Sequence, residues 1–554
     1  MEIDIAGARQ RFIKVVPIWQ NITDYKSGYS SASFIQAILI YVVWASLISI
    51  ILTGCDPMRP ENPPSLSTPT TILPSQAIDP IVQYEQLLTY ALEHKIFDYV
   101  DNHRGRMAWN TAYFLDSLLN MFVQTGNTRY LDVFVLYADA MLMTRDDIVG
   151  RVDFAGRVRP GWQTDSYYTL GKPYVLSDAA GQPSLRVQAI HTNGNNHTRI
   201  RVLLEDEQHF TLEVSNNFRR STPRVVRYEG LTMDTVEARI NATLSPQDLI
   251  RVWRVGDQPP TEGDYSLSET YVVVLHGLHT PAINIPLARF AALIRERQLI
   301  KYQRSAEVYL QRAQESYQDY IDLWREDEEG GYFVFAPDAL IWSAGLPVPY
   351  NGLALHGRFL LWLYRATGNL EYRQKTEALL SKIRTGMTIT PEGTLEMSYW
   401  YGQPFHGWDT LQDGPTHGLY AQGIPRGASE DVSHFSLTLQ FLLDALAQGL
   451  LPDDGWAQAA AQTYVTTIWK PNCRSDNRAA FLAHSLDGQG CMAGYPAGVY
   501  ARLAPFDARA FSISLDIYQE AYTNPETIDP DYEYGYVLLG WSLLAMSAEQ
   551  QINR

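Results

Sequence analysis

The stretch Gln124-Thr125-Gly126-Asn127-Thr128-Arg129-Tyr130 decides how this chain is read. Apolar residues at helical spacing lie on both sides of it. They predict one helix over about 107–123 and another over about 128–143. Gly126 supplies the positive φ that ends a helix, and the polar residues after it open the next. The device recurs at Ala366-Thr367-Gly368-Asn369-Leu370-Glu371-Tyr372. The helices leading into the two copies correspond as well. Trp109-Asn110 begins one, with Asn110 16 residues before its glycine, and Tyr350-Asn351 begins the other, with Asn351 17 residues before. Two such copies read as an internal repeat of an α-hairpin.

Working outward, the helical pattern continues on both sides. Tyr84, Leu87, Leu88, Ala91 and Leu92 fall on one helix face. Further helices are predicted over 305–325, 352–367, 371–384, 432–447, 456–469, 508–521 and 534–550, which makes eleven or twelve in total. Residues 162–280 break the pattern. Phe210-Thr211-Leu212-Glu213-Val214 alternates apolar and polar, and 186–190 and 249–255 approximate that period. Clusters such as Asn193-Gly194-Asn195-Asn196 separate them, so this segment is expected to be a small antiparallel β unit.

The hairpin count, the repeated Tyr-Asn…Thr-Gly-Asn…Tyr pattern and the aromatic loops between helices resemble the six-hairpin glycosidase-like and polysaccharide lyase superfamily. The resemblance covers about residues 80–550. It implies a mainly α fold, an (α/α) toroid, here interrupted by the β insertion. It also implies an active site in the funnel formed by inter-helix loops at one end of the barrel.

The richest segment for chemistry is 395–434. Tyr399, Trp400, Tyr401 and Trp408 are candidate sugar-stacking aromatics. His406 and His417 flank Asp409 and Asp413 in a loop punctuated by Gly and Pro. Ser429-Glu430-Asp431-Val432-Ser433-His434 is the sharpest element. Ser429 reads as an N-cap with Glu430 and Asp431 in the first turn, and Asp431 and His434 share a helix face at i, i+3. A carboxylate there orients an imidazole for acid–base work. The expected catalytic set is therefore His434, Asp431, Glu430, His406 and Tyr399. Trp400, Tyr401, Trp408, His417, Asn351, Trp109 and Asn110 are the expected substrate contacts. His276-Gly277-Leu278-His279 lacks a third ligand and reads as the end of a strand, so no metal site and no cofactor are expected. No P-loop, G-x-G-x-x-G, H-E-x-x-H or G-x-S-x-G occurs.

The N-terminus is distinct. No charged residue lies between Lys26 and Asp56, and 34–52 is almost wholly apolar. It ends in Leu52-Thr53-Gly54-Cys55, which resembles the bacterial lipobox and makes Cys55 the expected lipidation site. The other reading of 1–55 is an uncleaved membrane anchor. Seven prolines in residues 56–80 then read as a tether. The expected plan is a signal or anchor over 1–55, a tether over 56–80, helical toroid over 81–161, the β unit over 162–280, and the rest of the toroid over 281–554. The body is expected outside the cytoplasm, in a bacterial cell envelope. Cys473 and Cys491 are then free to pair, for about 3 kcal/mol over a loop of that length. With 44 basic against 61 acidic residues and no Lys/Arg block, nucleic acid is not an expected partner.

The leading expectation is a surface-anchored carbohydrate-active enzyme that cleaves glycosidic bonds in a polysaccharide or oligosaccharide. It would do so by hydrolysis with two carboxylates or by uronate β-elimination. The alternatives are a non-catalytic glycan-binding lipoprotein and a structural lipoprotein that binds a protein partner.

Overall fold

Each residue of the repeated turn has a physical task. The Thr125 hydroxyl donates to Met121 O at 2.7 Å and accepts from the Asn127 amide at 3.2 Å. Thr367 repeats this with Leu363 O at 2.7 Å and the Asn369 amide at 3.1 Å. Gly126 and Gly368 adopt φ of 69° and 76°. The side chains of Asn127 and Asn369 then accept from the amides of Arg129 and Glu371 and start the next helix.

The structure, a computed structural model, describes residues 78–165, 168–169, 171–189, 197–217, 223–242, 249–267, 277–341, 343–406, 427–475 and 478–552. The expected signal or anchor, Cys55, nearly all of the tether, Trp408 and His417 lie outside these residues. Among the described residues, no helix is long and apolar enough to cross a membrane.

The fold is mainly α with small antiparallel sheets. Twelve principal helices alternate in role along the chain: α1 (Pro80–Glu93), α2 (Ala112–Thr125), α3 (Arg129–Leu142), α4 (His279–Glu296), α5 (Gln303–Gln318), α6 (Tyr350–Thr367), α7 (Leu370–Thr385), α8 (Val432–Ala447), α9 (Trp456–Thr463), α10 (Ala497–Tyr500), α11 (Arg509–Ala521) and α12 (Tyr534–Ile552). The even-numbered helices contact one another in order, α2 to α4, α6, α8, α10 and α12, and α12 packs back on α2 to close the cycle. Odd-numbered helices pack outside them, α1 on α12, α3 on α2, α5 on α4 and α7 on α6. The even helices are the more buried. In α6, 15 of the residues from Tyr350 to Ala366 are buried, whereas α5 shows an apolar stripe of Ala306, Tyr309, Ala313 and Tyr317.

Between α3 and α4 lies the β unit. Strands β1 (Tyr174–Ser177), β2 (Pro183–Ala189), β3 (Thr198–Leu204), β4 (Phe210–Asn216), β5 (Arg224–Leu231), β6 (Ile250–Arg254) and β7 (Gly263–Ser266) form two antiparallel sheets ordered β1-β2-β6 and β5-β4-β3-β7. Leu185, Val187, Ile250 and Val252 from one sheet share an apolar core with Ile200, Val202, Leu212 and Val214 from the other.

One predicted helix is shorter than expected. The 305–325 pattern ends at Gln318, and β8 (Trp324–Asp327) pairs with β9 (Gly330–Phe333) beyond it. Asp327 Oδ1 accepts the amides of Glu329 and Gly330 and bends the chain back. The other correction concerns His279, which opens α4 and does not end a strand.

Candidate active site

The N-terminal ends of the even helices carry part of the expected set: Trp109 and Asn110 just before α2, Asn351 at the start of α6, and Asp431 and His434 at the start of α8. At the head of α8, Asp431 is the N-cap and accepts the His434 amide at 2.9 Å. Ser429 therefore does not cap this helix, and Glu430 and Asp431 precede it instead of filling its first turn. The reason is that 429–431 runs extended up to the cap and is bridged on both sides, Ser429 to Ser398 and Asp431 to Ser485. The Glu430 amide donates to Met397 O at 2.9 Å, and the Leu486 amide donates to Glu430 O at 3.0 Å. Met397 belongs to β11 (Leu395–Met397), which pairs with β10 (Met387–Ile389).

The two adjacent carboxyls experience opposite environments. Glu430 is fully buried. Burial pushes its pKa well above the carboxylate range, and the neighbouring Asp431 charge pushes the same way. The Asn351 amide donates to both Glu430 oxygens, at 3.3 and 3.4 Å, and opposes the shift only in part. Burial also acts to raise Asp431, but there His434, Ser433 and the helix amide prevail and hold it at about 2. Ser433 Oγ donates to Asp431 Oδ1 at 2.6 Å, and His434 Nδ1 contacts Oδ2. Glu430, Asp431 and His434 each offer an atom within 4.8 Å of the others. That is the one described group of three or more carboxylates and imidazoles with metal-ligand spacing.

Tyr399 stands over this group. Its ring meets His434 edge-on at 5.5 Å, and its hydroxyl is within reach of the Asn351 amide. Burial and the two nearby carboxyls raise its pKa. Asn351 Oδ1 is buried with no hydrogen-bond partner among the described residues. Tyr495, just before α10, bonds Ser433, and burial raises its phenol to about 12. From Tyr495 a chain of edge-on rings runs to Tyr536 at 5.2 Å and then to Tyr113 at 4.5 Å. Tyr113 in turn lies 6.4 Å from Trp109. Sequence reasoning missed Ser433, Tyr495 and Tyr536. Position beside a helix start was the available signal for Tyr495 and Tyr536.

The structure thus brings together Glu430, Asp431, His434, Asn351 and Tyr399, with Trp109 farther round the same rim. Other expected contacts are placed differently. Trp400 and Tyr401 are each 7% exposed. Tyr401 packs on Tyr350 at 4.8 Å under the Lys382 ammonium, and Trp400 lies against Tyr399 at 5.5 Å. Asn110 is buried, with its amide donating to Tyr99 Oη and Pro530 O and its carbonyl accepting from Gly535. It fastens α2 to the start of α12 instead of facing a ligand. Trp109 is half-buried, edge-on to His279. His406 ends the short helix Gly402–His406.

No known family profile matches the chain, and no curated protein matches it. Among solved structures, the chain is similar to an inactive variant of an α-1,6-mannanase of Salegentibacter sp. HEL1_6 in complex with α-1,6-mannotetrose, at 10% identity over 85% of this chain and 100% of that one, TM-score 0.40. The same enzyme in complex with α-1,6-mannotriose aligns at 10% identity over 79% and 89%, TM-score 0.36. A family 76 glycoside hydrolase from a bovine Bacteroides thetaiotaomicron strain aligns at 12% identity over 64% and 77%, TM-score 0.27.

Proposed function

We propose that this chain is a glycoside hydrolase of the (α/α) toroid type acting on an oligosaccharide or polysaccharide. One observation carries the reading. Two adjacent carboxyls at the rim of a closed helix ring have pKa values pushed in opposite directions, which is the environment that assigns acid and base roles to a carboxyl pair. Glu430, kept protonated, donates its proton to the leaving glycosidic oxygen. Asp431, kept ionised by His434 and Ser433, attacks the anomeric carbon. Direct attack by Asp431, with a covalent glycosyl intermediate, is the mechanism this reading takes. Asn351 orients Glu430, and its free carbonyl is an acceptor for a sugar hydroxyl. Burial raises the phenols of Tyr399 and Tyr401 and makes each a poor base, which counts against β-elimination. The disulfide between Cys473 and Cys491, with the apolar run and Cys55, supports placing the enzyme outside the cytoplasm on a lipid anchor.

The test is reducing-end release across a polysaccharide panel, read beside absorbance at 235 nm. Reducing ends without absorbance, lost by roughly 10²–10⁴ in Glu430→Gln and in Asp431→Asn, are expected. The first product should keep its anomeric configuration. A rise at 235 nm would establish elimination instead, and binding without turnover would leave glycan capture.

A further inference from the structure

The strand that carries both carboxyls is held from two sides, and one side is fastened covalently. On the first side, the Glu430 amide donates to Met397 O at 2.9 Å, and Ser429 bridges Ser398. Behind these, the Leu395 amide donates to Thr463 Oγ1 at 2.6 Å and ties the strand to α9. On the second side, the Val432 amide donates to His484 O at 2.9 Å, the Leu486 amide donates to Glu430 O at 3.0 Å, and Asp431 bridges Ser485. Residues 484–486 belong to a loop closed by the Cys473–Cys491 disulfide, whose cysteines are 18 residues apart with Cα atoms 5.7 Å apart. The bond meets the loop at its pairing points. The Ala480 amide donates to Cys473 O at 2.9 Å. Met492, next to Cys491, donates its amide to Leu482 O at 2.8 Å. One residue, Ala483, separates Leu482 from His484, the first residue to grip the carboxyl segment. Both cysteines are partly exposed and so open to a small thiol.

We propose that the Cys473–Cys491 disulfide positions the Glu430–Asp431 pair and makes turnover depend on thiol redox state. The proposal rests on the reading of that pair as catalytic. Reduction by a dithiol balances as follows. One reductant thiolate attacks a cystine sulfur, breaking the S–S bond and releasing one cysteine thiolate, and the second attacks the resulting mixed disulfide and releases the other. The two cysteines take up two electrons and two protons, and the reductant leaves as its cyclic disulfide. The loop then keeps its backbone pairing of Lys470 with Phe481 and of Ile468 with Ala483 but loses its covalent closure, and 484–486, beyond that pairing, loosen against 430–432. Neither cysteine belongs to the apolar core of the helices, to which the loop contributes Phe481, Leu482 and Leu486. A shift of about 1 Å in reacting groups costs on the order of 100-fold in rate, so a loosened strand acts on kcat first.

The full chain would be compared oxidised, reduced by dithiothreitol under native conditions, and as Cys473→Ser/Cys491→Ser. All three would be measured where circular dichroism shows the helices intact. Hydrogen exchange at the 430–432 and 484–486 amides provides a readout independent of substrate. Reduction is expected to lower kcat by about ten- to 100-fold, to change KM by less than about twofold, and to speed exchange in both segments. Reoxidation should restore all three. Unchanged kcat and unchanged exchange, with both thiols shown free by mass spectrometry, would overturn the proposal. Faster exchange in a chain that turns over no glycan would uphold the positioning role and overturn the hydrolase reading.

Discussion

Asp431 and Glu430 differ by one position and should titrate in opposite directions, which gives each a distinct signature in stability. Asp431 accepts hydrogen bonds from Ser433, the His434 amide and the His434 ring. Its folded pKa of about 2 lies below the ordinary carboxyl value. That difference contributes roughly 2–3 kcal/mol, present above the unfolded pKa near 4 and lost as pH falls through about 2. Asp431→Asn should remove this acid-side dependence, read as a flatter denaturation midpoint between about pH 4 and pH 2. For Glu430 the sign reverses. Its raised folded pKa favours the neutral acid, so stability is full below the unfolded value near 4.3 and falls as pH rises toward the folded value. Glu430→Gln keeps a hydrogen-bonding group of the same shape beside Asn351 and removes that loss. The variant should be inactive yet more stable than the native chain at pH 7, and no more stable at pH 4. A variant less stable at both pH values would show that Glu430 is held for structure rather than poised for chemistry.

At the scale of elements, two glycines of different kind make a paired test. A side chain at Gly126 would meet nothing within 4 Å, so only its φ of 69° resists substitution. Gly126→Ala should cost about 1–2 kcal/mol, the penalty for a left-handed L-residue. A Cβ at Gly498 would stand 2.2 Å from Gly540 Cα, where α10 and α12 cross. Gly498→Ala must move one helix and should cost more than Gly126→Ala in the same urea titration. The first of these sites was legible in the sequence and the second was not. Gly126 acts through Thr125 and Asn127, its own neighbours, so the repeated Thr-Gly-Asn showed the hairpin without a fold. The period-2 runs at 186–190, 210–214 and 249–255 were readable for the same reason. The extended segment at 429–431 escaped notice because its partners, 397–398 and 484–486, are distant in sequence. Read alone, Ser429-Glu430-Asp431 looks like a helix start. Asp431 and His434 were still found, because the i, i+3 relation that pairs them survives a shift of the cap by two residues. The burial of Trp400 and Tyr401 was not legible, because an aromatic run has the same composition whether it packs inward or faces solvent.

The ring as a whole is joined by charge at a level that no local pattern announces. Asp116 on α2 takes Arg289 of α4 at 2.5 Å and Arg358 of α6 at 2.9 Å. Arg358 also reaches Asp444 of α8 at 2.7 Å, and Asp444 takes Arg502, just after α10, at 2.8 Å. Five of the six inner segments thus meet in one buried network of three guanidiniums and two carboxylates. Burial works against both carboxylates, but the arginines prevail and hold each below the ordinary range. A cavity inside the ring borders this network, lined by Tyr113, Asp116, Pro286, Arg358 and Gln440, and Glu430 and Asp431 are not among its walls. Arg358 is the member that touches both carboxylates. Arg358→Met would fill most of its volume, yet leave Asp116 and Asp444 facing each other with one cation apiece. Breaking a buried pair from one side costs about 3–5 kcal/mol, because the remaining charge stays buried. The variant should therefore lose a large part of the stability of a domain, with a clear drop in urea midpoint. Arg509→Met, which breaks an ion pair with Asp507 whose arginine is 60% exposed, is the matched control and should leave the midpoint unchanged. If both variants behaved alike, the network would be a consequence of ring closure and not one of its causes.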